Sequence, residues 1–291
     1  MTLYGCDVSQ YQDGLDLGGL VSQGYSFCWI RASIGAQEDP TFLKFLWSAQ
    51  SRGMLAAGYH FLVPSVSVAL ENQAHLFASV LAGTPGILDV EPNGQGAAVP
   101  TYSEVINFLQ WARAYGADIR GLYWPRWVWE LQGRPTLPTG YALISSNYGG
   151  AAAGETLAGQ YPGKSWAGWA GYGGAVPQLG QVTDQAEVDG YGGYLDGDIF
   201  EGSLEQLMAI FGLEDDDMAK PRMIQKTGDA QVWATNGMGR WHIQGGTMAD
   251  FVYNQHTRFG NPAMPATPEE VEDLDSFGPI ISDVFGLGVP A

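Results

Sequence analysis

Two cysteines in 291 residues, Cys6 and Cys28, are too few for a disulfide framework or a thiolate zinc site. Both are expected to be buried small hydrophobes. Basic residues are scarce as well: 13 Lys and Arg against 31 Asp and Glu leave a net charge of −18. That balance argues against a phosphate-backbone binder, so no nucleic-acid partner is expected. Charged residues total only 15%, where about 25% is usual, which excludes a coiled coil or a disordered chain. No apolar run approaches the roughly 18–20 residues of a membrane span, so no membrane insertion is expected. The start, MTLYGCDVSQ, has neither the basic nor the apolar segment of a secretory signal peptide. The four histidines do not fall at metal-ligand spacing. No G-x-G-x-x-G or P-loop follows an early strand, and there is no G-x-S-x-G. Zinc hydrolysis, nucleotide binding and serine-elbow hydrolysis therefore lose ground, and no metal or cofactor is expected.

What is present is apolar bulk and glycine. Hydrophobic residues make up 45%, and the 41 glycines are densest between Gly140 and Gly202. A break falls near residue 213, where LEDDDMAKPR reads as an acidic linker over 213–222. Before it, FCWIRAS (27–33), LAAGYHFLV (55–63), ILDVE (87–91), IRGLYW (119–124) and YALIS (141–145) read as strands. Between them Phe42, Phe45, Leu46 and Ala49 recur at helical spacing, with Asp39-Pro40 as the expected start and Gly53 as the stop. Leu70, Ala74, Phe77 and Leu81 mark another helix. Thr101 with Glu104, and Ser203 with Gln206, form capping boxes for two more. This alternation implies βαβ units and a parallel sheet, either a barrel or a doubly wound sheet. The stretch 149–202 lacks helical periodicity, so a barrel would join its last strands by loops and hairpins.

In parallel α/β folds the chemistry sits at the C-terminal ends of the strands. The polar residues there are Asp7, Tyr59 and His60, Asp89 and Glu91, Tyr123, and Asp196 with Asp198. Residues i and i+2 of a strand point the same way, so Asp89 and Glu91 would both face the barrel mouth. Two close carboxylates raise each other's proton affinity, and one stays protonated near neutral pH. A protonated carboxylic acid beside an ionised one is what glycosidic cleavage requires. Alone, D-x-E also fits a solvated strand end; with Asp7 and Asp196 on other strands, an acidic mouth is the better reading. A Ca²⁺ or Mg²⁺ site is the lesser alternative. His60 reads as a packed or hydrogen-bonded strand residue. Ten aromatics, among them Tyr11, Trp127, Trp129, Trp166 and Trp169, lie at or near strand ends and loops, and three or four are expected to touch a sugar.

These residues resemble the glycoside hydrolase family 25 lysozymes, the Chalaropsis-type N-acetylmuramidases. GCDVSQYQ, FCWIRAS, the stretch from DPTFLKF to GYHF, ILDVEP, GLYWP, LISSNYG and LDGDIFEG follow the family's motifs in order over residues 1–212. The resemblance implies an eight-stranded (β/α) barrel with an incomplete helix ring. It also implies cleavage of the β-1,4 bond between N-acetylmuramic acid and N-acetylglucosamine in bacterial peptidoglycan. Glu91 falls on the general acid, Asp89 on its partner carboxylate, and Asp7 and Asp196 on the other two acids. Arg31, Tyr59, Tyr123, Tyr148, Gln181 and Asp198 fall in the expected substrate-binding set. Two positions depart from the pattern. Asp198 stands where Asn is usual, and GQV (180–182) replaces W-Q-Y, removing an aromatic platform that Trp166 or Trp169 would have to supply.

A substrate-assisted route is favoured, in which the 2-acetamido group attacks the anomeric carbon, Asp89 holds it and Glu91 protonates the leaving oxygen. The short β-rich runs of 223–258 suggest a small β-rich unit within residues 223–291, either wall-binding or accessory. The expected biology is that of a monomeric bacteriophage endolysin, made in the host cytoplasm and reaching the wall after holin-type release. The rivals are a non-catalytic wall-binding barrel and a chitinase-like hexosaminidase.

Overall fold

The computed structural model describes residues 1–213, apart from 93, 95–97 and 150–154, together with four short strands beyond them. The main sheet comprises β1 (Thr2–Val8), β2 (Tyr25–Ile34), β3 (Gln37–Glu38), β4 (Leu55–Phe61), β5 (Gly86–Asp89), β6 (Ile119–Tyr123), β7 (Ala142–Ser146), β8 (Leu179–Ala186) and β9 (Leu195–Glu201). Their order is β1-β9-β8-β7-β6-β5-β4-β2, and β1 pairs with β2, so eight strands close a barrel while β3 only folds back on β2. All run parallel except β9, which is antiparallel to both β8 and β1. The expected barrel with a hairpin at its end is what forms.

The helices follow local signals. Both capping boxes are made: Thr101 starts α4 (Tyr102–Ala114) and Ser203 starts α7 (Leu204–Phe211). Helix α3 is Leu70–Leu81. The start of α2 (Phe42–Ser51) corrects the expectation for Asp39-Pro40. Thr41 is the N-cap residue and makes no side-chain cap bond. The Asp39 carboxylate is instead occupied by Arg31 Nε at 2.8 Å, the Gln10 amide at 3.0 Å, and the Thr41 amide and hydroxyl. A buried ion pair out-competes a cap. Two short helices carry too little periodicity to be read in advance, α1 (Leu17–Ser22) and α5 (Arg126–Leu131). Trp127 and Trp129 therefore lie on a short helix just after the end of β6.

Alternation along each strand splits the apolar residues into two layers. Cys28, Ile30 and Ala32 of β2 pack outward against helices, with Phe42, Phe45, Phe77 and Phe108. Phe27 and Trp29 point inward, with Leu3, Leu55, Ala57, Ile87, Ala142, Ile144, Leu179 and Phe200. Helix α7 closes the bottom of this interior: Leu207, Met208 and Phe211 join the inner cluster, and Phe211 stacks on Trp29 at 4.8 Å. Gly5 is required here, because a Cβ would lie 2.1 Å from the Phe27 ring. Cys6 and Cys28 are buried opposite one another, with sulfurs 3.7 Å apart.

Between β7 and β8 the helix ring is replaced by α6 (Leu157–Gln160) and 3-10 turns. Trp166 covers the outer face of β8 in their place. A Cβ on Gly180 would sit 2.2 Å from its ring, so glycine lets the indole lie flat on the strand. Beyond the barrel, β10 (Arg222–Gln225), β11 (Val232–Thr235), β12 (Arg240–Ile243) and β13 (Ser282–Asp283) pair antiparallel in the order β12-β11-β10-β13. Apart from its two end residues, the expected linker at 213–222 lies outside the described residues, as does the rest of 223–291. Among the described residues no helix is long and apolar enough to cross a membrane.

Candidate active site

A cleft of about 210 Å³ opens at the C-terminal end of the parallel strands. Five acids line it: Asp7 from β1, Asp89 and Glu91 from the end of β5, and Asp196 and Asp198 from β9. The inward parity of each strand delivers them. Leu3 and Phe200 at the floor share a face with Asp7 and with Asp196 and Asp198, and Ile87 shares one with Asp89. Asp7 is registered against Asp196 across the β1–β9 pair, and Asp198 lies deeper, opposite Gly5. The choice between Asp196 and Asp198 is thus no choice: both face the cleft. Among the described residues that line it, Arg31 is the one cation. Its charge is shared with Asp39 in a buried ion pair.

Protons stay in this cluster. Burial, with the charge of Asp7 behind it, pushes Glu91 up to about 7. Asp89 is held well above the usual carboxylate range by burial first and then by Glu91 and Asp7. Burial likewise raises Asp196 and Asp198, with Asp7 as the next cause for each. Asp7 is raised by burial, but donors oppose that: Gln181, Asp196 and the Arg31 charge all favour its ionised form. Asp7 is thus the acid of the cluster whose rise is opposed by hydrogen-bond donors, while its neighbours are pushed toward their protonated forms, a split of the kind that acid catalysis needs.

Polar contacts fix the walls. Gln181 accepts from the hydroxyls of Tyr123 at 2.6 Å and Tyr148 at 2.5 Å, and donates to Asp7 Oδ2 at 2.6 Å. Tyr59 lies in the wall, where burial keeps its hydroxyl protonated. Tyr11 stands at the rim, 76% exposed, with the Arg31 guanidinium 5.2 Å from its ring centre. Three buried polar atoms on the lining have no partner among the described residues: Trp29 Nε1, Asp89 Oδ1 and Asp198 Oδ2. Buried polar groups are normally satisfied, so such atoms are what a polar ligand would meet. Among the described residues no three His, Cys, Asp or Glu side chains are grouped to hold a metal ion.

The sequence-predicted residues Asp7, Arg31, Tyr59, Asp89, Glu91, Tyr123, Tyr148, Gln181, Asp196 and Asp198 all line the cleft. Trp166 and Trp169 do not replace the missing platform. Trp166 is buried behind β8, its Nε1 donating to the Asn147 carbonyl, and Trp169 donates to the Tyr161 hydroxyl. His60 is the packed residue expected: it bonds Ser33 Oγ and Gln73 Oε1 and stacks on Phe108. Trp29, Phe61, Ser9 and Gln12 also line the cleft and were not foreseen. The odd-residue register with Phe27 and Arg31 would have pointed to Trp29.

The family model for glycosyl hydrolases family 25 matches residues 6–170, which takes in the end of β1 with Asp7, and β5 with the acid pair Asp89 and Glu91 at its end. The chain belongs to glycosyl hydrolases family 25. It is a glycoside hydrolase directed at peptidoglycan. An uncharacterized Escherichia coli K12 protein, YegX, is 26% identical over 228 residues, 72% of this chain and 73% of its own length. Lysozyme M1 of Streptomyces globisporus is 35% identical over 101 residues, covering 32% of this chain and 34% of its own. The bacterial lysozyme of Streptomyces coelicolor shares the fold with a TM-score of 0.56 at 22% identity, over 72% of this chain and 96% of its own. The catalytic domain of endolysin ply40 from a Listeria monocytogenes bacteriophage does so with 0.56 at 18% identity, over 73% and 98%. For this family 25 enzyme, the acids at the mouth of the barrel become the centre of interest.

Proposed function

We propose that this enzyme cleaves the β-1,4 bond between N-acetylmuramic acid and N-acetylglucosamine, with Glu91 as the general acid. One observation carries the reading: Glu91 and Asp89 leave β5 on the same side into a cleft where burial and Asp7 hold Glu91 protonated to about 7. A carboxyl poised near the working pH protonates a leaving oxygen most effectively. Asp89 supports a substrate-assisted route. Its raised proton affinity makes it a poor nucleophile, whereas its unpartnered Oδ1 suits the N–H of an attacking 2-acetamido group. Tyr11, Tyr59, Tyr123 and Tyr148 offer ring faces and hydroxyls to sugars. We place the activity in lysis of a host cell by a bacteriophage; the fold relative ply40 is an endolysin from a bacteriophage of Listeria monocytogenes.

The test is mass spectrometry of fragments released from purified peptidoglycan and reduced with borohydride, with Glu91→Gln as control. Reduced muramic acid at the new ends, absent with the control, is expected. Reduced glucosamine ends would refute the bond assignment, and undiminished release by Glu91→Gln would refute the acid. For the biological role, expression in the host cytoplasm should leave cells intact until the membrane is permeabilised. Lysis without permeabilisation would contradict it.

A further inference from the structure

We propose that Gln181 is a positioning residue that holds Asp7 as the charged member of the acid cluster, and so sets the pH range of catalysis without touching the sugar. The proposal rests on the reading of Glu91 as the acid. An amide side chain has one acceptor oxygen with two lone pairs and one donor nitrogen. Both lone pairs of Gln181 Oε1 are used, by the hydroxyls of Tyr123 and Tyr148. The nitrogen is thereby turned onto Asp7 Oδ2, and a donor at 2.6 Å requires an unprotonated oxygen there. Turned the other way round, Oε1 would face Asp7 oxygen to oxygen.

Asp7 is also hydrogen-bonded to Asp196, its register partner on β9. Two carboxyls in such contact hold one proton between them. Gln181 donates to Asp7, whereas every charge and contact around Asp196 favours its protonated form, so the shared proton is favoured on Asp196 and the charge on Asp7. The other titratable or charged groups facing Asp7 are Arg31 from β2, Tyr59 from β4, Asp89 and Glu91 from β5, Tyr148 beyond β7, Asp198 from β9, and its chain neighbour Cys6. Of these only Arg31 favours a negative Asp7, and it is also paired with Asp39. The amide is therefore the main lever on where the charge sits, and the charge on Asp7 is what helps Glu91 keep its proton.

The test compares Gln181→Met and Gln181→Glu with the wild type. It reads the pH profile of kcat/KM and ¹³C titration of the Asp7 and Glu91 carboxyls. Losing the donor should raise the Asp7 midpoint and lower that of Glu91, each by about one pH unit. The activity bell then narrows from both sides. Gln181→Glu keeps a donor only while the new carboxyl is protonated, so it should follow the wild type at acid pH and fall away as pH rises. Being nearly isosteric, it keeps the test standing if the Met variant fails to fold. Unmoved midpoints with a uniform loss of rate, or a rise in KM alone, would overturn the proposal. Titration needs no turnover. If the wild type releases no peptidoglycan fragments, the functional reading falls and the midpoints still judge the link from Gln181 to Glu91.

Discussion

The floor and the mouth of the barrel interior are built from the same strands in the same inward register, yet they do opposite things. At the floor, Phe27, Leu55, Ile87, Leu179 and Phe200 meet Phe211 of α7, and nothing polar is asked of them. Two or four residues along β1, β5 and β9, the same face presents Asp7, Asp89, Asp196 and Asp198. The floor removes apolar surface from water and stabilises the fold. The mouth buries carboxyls that the unfolded chain would ionise freely, and that costs stability as pH rises. Stability and chemistry are thus separated along one axis of one barrel, and the glycosidase gives up folding energy only at the end where substrate arrives.

The largest effect expected at the mouth is that of Glu91→Gln, which should lower peptidoglycan hydrolysis by about 10²–10⁴-fold. Steady-state assays on purified wall check this, with circular dichroism showing the fold retained. The matching break at the floor is Phe211→Ala. It should destabilise the barrel by about 3–5 kcal/mol in denaturant unfolding and leave the pH profile of residual activity in place. A smaller and opposite effect sharpens the contrast. Asp198 is 1% exposed and holds its proton above the value of 3.8 that it has when free. Between those two points the unfolded chain is ionised and the folded protein is not, so stability falls as pH rises. Asp198→Asn should therefore raise the melting temperature at pH 7 by roughly 3 °C, with the gain vanishing below about pH 4. An equal gain at both pH values would show that packing, not charge, is responsible. Smallest of all, Tyr11→Ala should raise KM by about two- to tenfold with little change in kcat, since an exposed, pre-ordered ring contributes one stacking contact.

How far the sequence carried this picture follows from range. The capping boxes span three residues, and the parity of ILDVE spans two, so helix starts and the paired acids were legible directly. The Arg31–Asp39 pair was not, because eight residues of chain turn back before the two side chains meet, and Asp39 then reads as a cap. The Gln181 contacts reach 58, 33 and 174 residues away, and only barrel closure brings them together. Glycine density correctly marked the loss of helices after β7. It could not reveal why glycine is needed at Gly180, where the Trp166 ring lies on the strand. The places of Trp166 and Trp169 were open in the sequence for the same reason: a tryptophan in a loop looks equally suited to a sugar or to a bare sheet.

The contrast between floor and mouth stands or falls on whether the mouth keeps protons at neutral pH. The direct measurement is the ¹³C titration of the Glu91 carboxyl in the wild-type protein. The expected midpoint is about 7, raised from 4.5 by burial and the charge of Asp7, and it should drop in Asp7→Asn. A midpoint near 4.5 that ignores Asp7→Asn would leave Glu91 ionised at neutral pH and contradict its role as the acid.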